Sequence, residues 1–201
     1  RMFAFETILA DDVSSETQQI ARGLRQRDMA VLHQLVAQYQ YRLVRYLIYV
    51  TGRRDSVDDL VQETWLRVLE RGHSYNGQSP FAPWLLTIAR NLAFDQMRKR
   101  KIFSLDSQDE GEQDVDALAP ISDEPSPFEQ AARTEDARHL ARSLQSLDPI
   151  CREALVLRFQ EDLSLQEIAA IAGASVSTVS SRIYRGLAAL RKQMEGVDHA
   201  P

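Results

Sequence analysis

The side chains that ordinarily carry catalysis are few and scattered over the 201 residues. His33, His73, His139 and His199 have no spacing that would bring two of them to one metal ion. Cys151 is the single cysteine, so neither an internal disulfide nor a zinc cage is open to it. It follows Pro149 near an expected helix start, where a thiolate gains stabilisation, yet no partner thiol accompanies it. A small, half-buried hydrophobe is the simpler reading. There is no glycine-rich phosphate loop, HExxH or CxxC, and a nuclease would need clustered carboxylates or histidines for its metals. No catalytic residue, metal or cofactor is therefore expected, and the chain reads as a non-enzyme.

What the sequence does concentrate is charge. Arg98, Lys99, Arg100 and Lys101 form a run of four bases. Directly after it, Ser104 to Asp136 holds eleven acids and one base, Arg133. That stretch carries −10 against a chain total of −5, so the rest of the chain carries +5. From Ser175 to Lys192 there are Arg182, Arg185, Arg191 and Lys192 and no acid. Two basic surfaces separated by an acidic tether point to two polyanion contacts on two modules. On charge alone, solvated faces are an equal alternative.

With 44% hydrophobic and 26% charged residues, the chain is able to bury a core. No apolar run approaches the roughly 20 residues that span a bilayer, and no basic-then-apolar leader is present, so a cytoplasmic protein is expected. Residues 104–127 contain Pro120, Pro125 and Pro127 with few large apolar side chains, which predicts a flexible linker. On either side the pattern is helical. Helices are expected over 24–50, 57–70 and 83–100, then over 128–147, 149–159, 165–172 and 176–194.

Several helix ends carry their own signals. Asp148 before Pro149 is an N-cap followed by proline at the first helical position. Ser164 with Glu167 has capping-box spacing, and Ser56 with Asp59 is a weaker relative of it. Gly72 and Gly173 stand where helices should stop. Leu165, Ile168, Ala169 and Ala172 then make one apolar face of a short helix, Gly173 permits a sharp turn and Ser175 caps the next helix. In that next helix Val179, Ile183, Leu187 and Leu190 form the expected inward stripe. Ser177, Ser180, Ser181, Tyr184 and Arg185 occupy the opposite face, with Thr178 and Arg182 at its margins. Short hydroxyls and an arginine suit base edges and phosphates in a major groove, so a DNA-binding helix-turn-helix is expected.

The same residues carry a family resemblance. LQSLDPICREAL followed by LSLQEIAAIAGASVSTVSSRIYRGLAALR resembles region four of bacterial sigma factors, specifically the extracytoplasmic-function (ECF) group of the sigma-70 family. DSVDDLVQETWLRVLERG followed by FAPWLLTIARNLAFDQMRKRK resembles region two of that group. The fold this implies is all-α: a region-two helical bundle and a region-four helix-turn-helix joined by the acidic linker. The corresponding boundaries are an N-terminal extension 1–17, region two 18–103, linker 104–127, region four 128–195 and a tail 196–201.

The resemblance also assigns surfaces. The helix over 57–70 buries Val57, Leu60, Val61, Thr64, Trp65 and Val68 and leaves an acidic face outside. An acidic face cannot hold DNA; in the family this segment docks on the clamp helices of the largest RNA polymerase subunit. Asp58, Asp59, Gln62 and Glu63 are thus the implied polymerase contacts. The next helix buries Trp84, Leu85, Ile88, Ala89 and Leu92 and ends in the run of bases, after a polar loop beginning at Tyr75. A loop that captures an unstacked base beside a basic helix suits single-stranded DNA. In the family these parts read the −10 element, which maps onto Asn76, Gly77, Gln78 and Ser79 and onto Arg90, Asn91, Arg98 and Lys99. Tyr75 is either a stacking platform or packing. The −35 contacts are expected from Thr178, Ser180, Ser181, Arg182, Tyr184 and Arg185. Core polymerase, promoter DNA and an anti-sigma factor are the implied partners. The competing reading is a two-domain regulator of LuxR-like type, whose output domain resembles region four; the absence of βα alternation in the first half speaks against it.

Overall fold

A computed structural model describes the backbone of residues 3–106 and 135–195, with side chains over 15–102 and 140–193. The body of the linker, the start of the helix expected from 128, and the tail 196–201 lie outside the described residues. Eight α-helices and no strand occur among the described residues: α1 Phe3–Gln26, α2 Met29–Thr51, α3 Val57–Arg71, α4 Phe81–Asp106, α5 Glu135–Gln145, α6 Pro149–Leu155, α7 Leu165–Ala172 and α8 Val176–Glu195. No described helix is long and apolar enough to cross a membrane.

The first half is a bundle of α2, α3 and α4, with α1 laid across its end. Leu43, Tyr46, Leu47 and Val50 of α2 meet Val57, Leu60, Val61 and Val68 of α3 and Leu85, Leu86, Ala89 and Ala93 of α4. The six positions expected to be buried on α3 are all buried, because a 15-residue helix with one apolar stripe has only one way to face a core. Trp84 and Leu92 of α4 are half-buried rather than buried, and Phe81, Leu86 and Ala93 complete its inner face.

Local chemistry departs from expectation at four helix ends. The helix expected over 24–50 is two helices, broken where Arg27 turns left-handed at φ 55°. Asp28 then caps α2, its carboxylate accepting from the Ala30 N–H at 2.9 Å. Residues 3–17, expected as an extension, belong to α1. Ser56 is buried and makes no side-chain cap bond. Gly72 does end α3 as expected, though right-handed and opening a single 3₁₀ turn, Gly72–Ser74; a left-handed cap lies at Gly52, with φ 69°. Helix α4 also runs on through 104–106, residues expected in the linker.

The second half is built around α8. Ser164 accepts from the Glu167 N–H and the Glu167 carboxylate accepts from the Ser164 N–H at 2.8 Å, so the capping box closes α7 at its start. Gly173 adopts φ 59° and ends it, and the Ser175 hydroxyl accepts from the Thr178 N–H at 3.2 Å to start α8. One expectation fails. Leu187 is 43% exposed, and the inward stripe of α8 is Val179, Ile183, Gly186 and Leu190. A Cβ on Gly186 would stand 2.9 Å from Leu155 Cδ1, so the missing side chain lets α8 lie close on α6. The absent side chain does the packing.

The halves are not separate. Helix α7 packs on α4 and α6 on α2, and Val156, Leu157, Leu163, Ile168, Ile171 and Val179 join the core of the first half in one continuous cluster.

Because the capping box satisfies two backbone donors at the start of an eight-residue helix, Ser164→Ala is expected to cost about 1 kcal/mol. Urea unfolding measured against the wild type checks this; an unchanged midpoint contradicts it.

Candidate nucleic-acid interface

Helix α8 offers its outer face without obstruction. Ser177, Thr178, Ser180, Ser181, Tyr184 and Arg185 are all exposed, Tyr184 to 75%. Arg182 is half-buried at the margin of this face, on the side toward Glu153. The Ser181 hydroxyl donates to the Ser177 carbonyl at 2.9 Å and keeps its acceptor side outward. A one-sided helix of hydroxyls and arginine on a rigid turn is fit to read a groove.

The loop ahead of α4 is shaped from within. The Asn76 side chain accepts from the Gln78 N–H at 3.0 Å and donates to the Gln78 side chain at 3.1 Å. Asn76, Gln78 and Ser79 are exposed. Gly77 departs from the expected role: it is buried, and its carbonyl accepts from the Thr17 hydroxyl at 2.7 Å. Its φ of 72° and the Thr17 carbonyl, 2.8 Å from where a Cβ would stand, require glycine. Gly77 therefore ties the loop to α1 instead of facing outward. Tyr75 is packing: it lies edge-on to Phe81, tilted against Trp84, and donates to the Ser79 carbonyl at 2.6 Å. Burial pushes its hydroxyl up to about 12.

On α4, Asn91, Arg98 and Lys99 are exposed, Arg98 paired with Asp95 at 2.8 Å. Arg90 is turned differently. Its Nε lies 2.9 Å from the Glu153 carboxylate of the second half, with its guanidinium 4.6 Å from the Phe94 ring centre. A carboxylate at 1% exposure must be paired, and Arg90 is the cation that pairs it. The Tyr46 hydroxyl donates to the same Glu153 oxygen at 3.0 Å. Burial pushes the Glu153 carboxyl above its ordinary range, while Arg90 and Tyr46 pull it back down. A second carboxylate, Glu161, is fully covered and pairs with Arg42 and with Arg45, the latter at 3.4 Å. The sequence reading missed this seam, since Tyr46 and Glu153 are 107 residues apart and no local pattern links them.

The outer face of α3 is more apolar than its acids imply. Asp58, Asp59 and Gln62 are exposed, and Glu63 is half-exposed and bonded to Arg67 at 2.9 Å. Asp58 and Gln62 border a groove floored by Val36, Val61, Trp65, Leu66 and Leu69. Leu66, in that floor, is 47% exposed beside Arg67, so an apolar side chain faces outward next to a charged one.

Comparison with known proteins agrees with this division. Sigma-70 region 2 matches residues 35–102 and Sigma-70, region 4 matches residues 138–190. The chain is 33% identical over 165 residues to the ECF RNA polymerase sigma factor SigX of Bacillus subtilis, covering 78% of this chain and 80% of that relative. It is 34% identical over 161 residues to the RNA polymerase sigma factor CarQ of Myxococcus xanthus, covering 79% and 86%. Among solved structures, the sigma factor RpoE in its complex with the anti-sigma factor NepR from Bartonella quintana superposes with TM-score 0.67 at 26% identity, over 81% of this chain and 96% of that one. CnrH, solved with the cytosolic domain of CnrY, gives 0.64 at 25% identity, over 89% and 97%. The chain belongs to the ECF group of sigma-70 family RNA polymerase sigma factors, and its work is promoter-directed transcription initiation. The LuxR-like alternative finds no support, since the first half is sigma region 2.

Gly77→Ala is expected to destabilise the first half by about 1–3 kcal/mol, through left-handed strain and the clash with the Thr17 carbonyl. Thermal unfolding checks it; a wild-type transition would mean the loop is not tied to α1.

Proposed function

We propose that the chain is a non-catalytic, two-point promoter clamp acting in the cytoplasm. Helix α3 binds core RNA polymerase, through Asp58, Asp59, Gln62 and Glu63 at the rim of the groove and through the exposed Leu66 in its floor. The α4 face of Asn91, Arg98 and Lys99, with the loop residues Asn76, Gln78 and Ser79, captures the melted −10 strand. Arg90 joins them once it is released from Glu153. Opening a duplex costs about 1.4 kcal/mol per stacked step, so binding unstacked bases helps drive melting. Helix α8 holds the −35 element as duplex. The acidic linker, charged as DNA is, passes through the positively charged polymerase interior.

The observation that carries this reading is the exposed polar face of α8, set on a turn closed by the capping box and Gly173. An anti-sigma factor completes the partners; in support, the relative RpoE was solved bound to one.

On α3, reversing charge with Asp59→Lys and Glu63→Lys together should weaken core binding by about 2 kcal/mol or more, roughly thirtyfold. Helical content by circular dichroism stays unchanged. Wild-type assembly of the double variant would refute the docking face.

On α8, Arg185 donating to guanine O6 and N7 contributes about 1–3 kcal/mol of discrimination. Arg185→Ala should therefore weaken holoenzyme binding at the cognate −35 sequence far more than at a scrambled one. Arg182→Ala should weaken both alike and lower the salt dependence by about one phosphate contact. Salt titrations on the two duplexes separate the roles; equal losses for Arg185→Ala would make it a phosphate clamp.

A further inference from the structure

The loop ahead of α4 is floored by α1. Thr17, Ala21 and Leu24 recur at spacings of four and three, so they share one face of that helix, and all three are buried. The face meets the loop twice. On the approach, a Cβ on Gly72 would stand 2.9 Å from the Leu24 Cβ. At the tip, one on Gly77 would stand 2.8 Å from the Thr17 carbonyl oxygen and 3.2 Å from the Ala21 Cβ. Two glycines thus let the backbone lie directly on the helix.

One peptide group is pinned from both sides. The Thr17 hydroxyl donates to the Gly77 carbonyl at 2.7 Å, across 60 residues of sequence, and Thr17 is 7% exposed. The Gln78 N–H belongs to the same planar unit, and in a trans peptide it points the opposite way from that carbonyl. There it donates to the Asn76 side chain at 3.0 Å, while Asn76 donates to the Gln78 side chain at 3.1 Å. Both amides are exposed. Turning the peptide would therefore break the buried bond and the outer one together.

We propose that Thr17 is a positioning residue for promoter specificity: by pinning the Gly77–Gln78 peptide it sets the two amides, Asn76 and Gln78, that meet a base of the melted −10 strand. The role rests on the assignment of this loop to that strand. A buried carbonyl stripped of its donor is costly, so without the hydroxyl the peptide turns toward water. Reading a base edge needs donors and acceptors held to within about 0.5 Å. Holding phosphates, the task of Arg98 and Lys99, carries no sequence information and does not need the tie. Thr17 thus governs which base is preferred more than how tightly DNA is held.

The test uses holoenzyme reconstituted with the full chain and a pool of duplexes randomised over the promoter region. Sequencing the retained DNA gives the base preference at every position. Gln78→Ala identifies the −10 position read by the loop, because it flattens the preference there. Thr17→Val keeps the shape without a donor, Thr17→Cys keeps a weak donor and Thr17→Ser a full one. Preference at the loop's position should fall roughly tenfold in Thr17→Val, fall part of the way in Thr17→Cys and hold in Thr17→Ser. The −35 preference should hold in all three. If Thr17→Val does not fold, the gap between Thr17→Cys and Thr17→Ser decides, and its absence overturns the role. Wild-type preference in Thr17→Val, with Gln78→Ala flattening it, also overturns the role. So does a loss shared by the −35 positions, or one that Thr17→Ser does not restore, since a brace for the bundle would give either. If Asn76→Ala and Gln78→Ala both leave every position unchanged, the loop does not read the −10 strand, and that assignment falls first.

Discussion

A helix that reads DNA must be one-sided, and its apolar back has to be covered. Much of this molecule follows from covering the apolar backs of two helices, α4 and α8. Helix α4 lays Leu85, Leu86, Ala89 and Ala93 against α2 and α3 and keeps Asn91 and Lys99 in solvent. Helix α8 lays Val179, Gly186 and Leu190 against α6 and α7 and keeps Ser180, Ser181 and Arg185 in solvent. The apolar side of α7 left over by α8 then finds α4, which joins both cores into one cluster.

The charges at that junction give it a specificity that apolar contact lacks. Two carboxylates from the second half, Glu153 and Glu161, are sealed against arginines of the first. A buried ion pair is weak as a source of stability, but removing one partner is costly because the other is left uncompensated. The seam is therefore selective for this one pairing of the halves. The acidic groove face of α3 lies on a different helix from that seam.

Much of the fold was legible in the sequence, and the misses share a physical origin. Local signals held: the α3 stripe, the Ser164 capping box, the Gly173 turn and the outward face of α8 are all set within a few residues. The failures came where a distant neighbour decides. Gly186 reads as a gap in an apolar stripe until Leu155 is placed beneath it, and Leu187 was wrongly put inside in its stead. Gly77 reads as a loop glycine free to face a base until Thr17 is found behind it. Arg90 reads as one more cation on a basic helix, and only the tertiary fold brings it to Glu153. The break at Arg27 is the exception: its signal is local, the N-cap Asp28 directly after it, and it was overlooked.

The central claim is that α4 and α8 hold two separated promoter elements within one initiation complex. Site-specific photo-crosslinking tests it most directly, with a crosslinker at Asn91 on α4 or at Ser181 on α8 in reconstituted holoenzyme bound to promoter DNA. The account predicts adducts about 25 base pairs, roughly 85 Å, apart, with Asn91 on an unpaired −10 strand and Ser181 on −35 duplex. Adducts from both positions within one element, or none from Ser181, would contradict it.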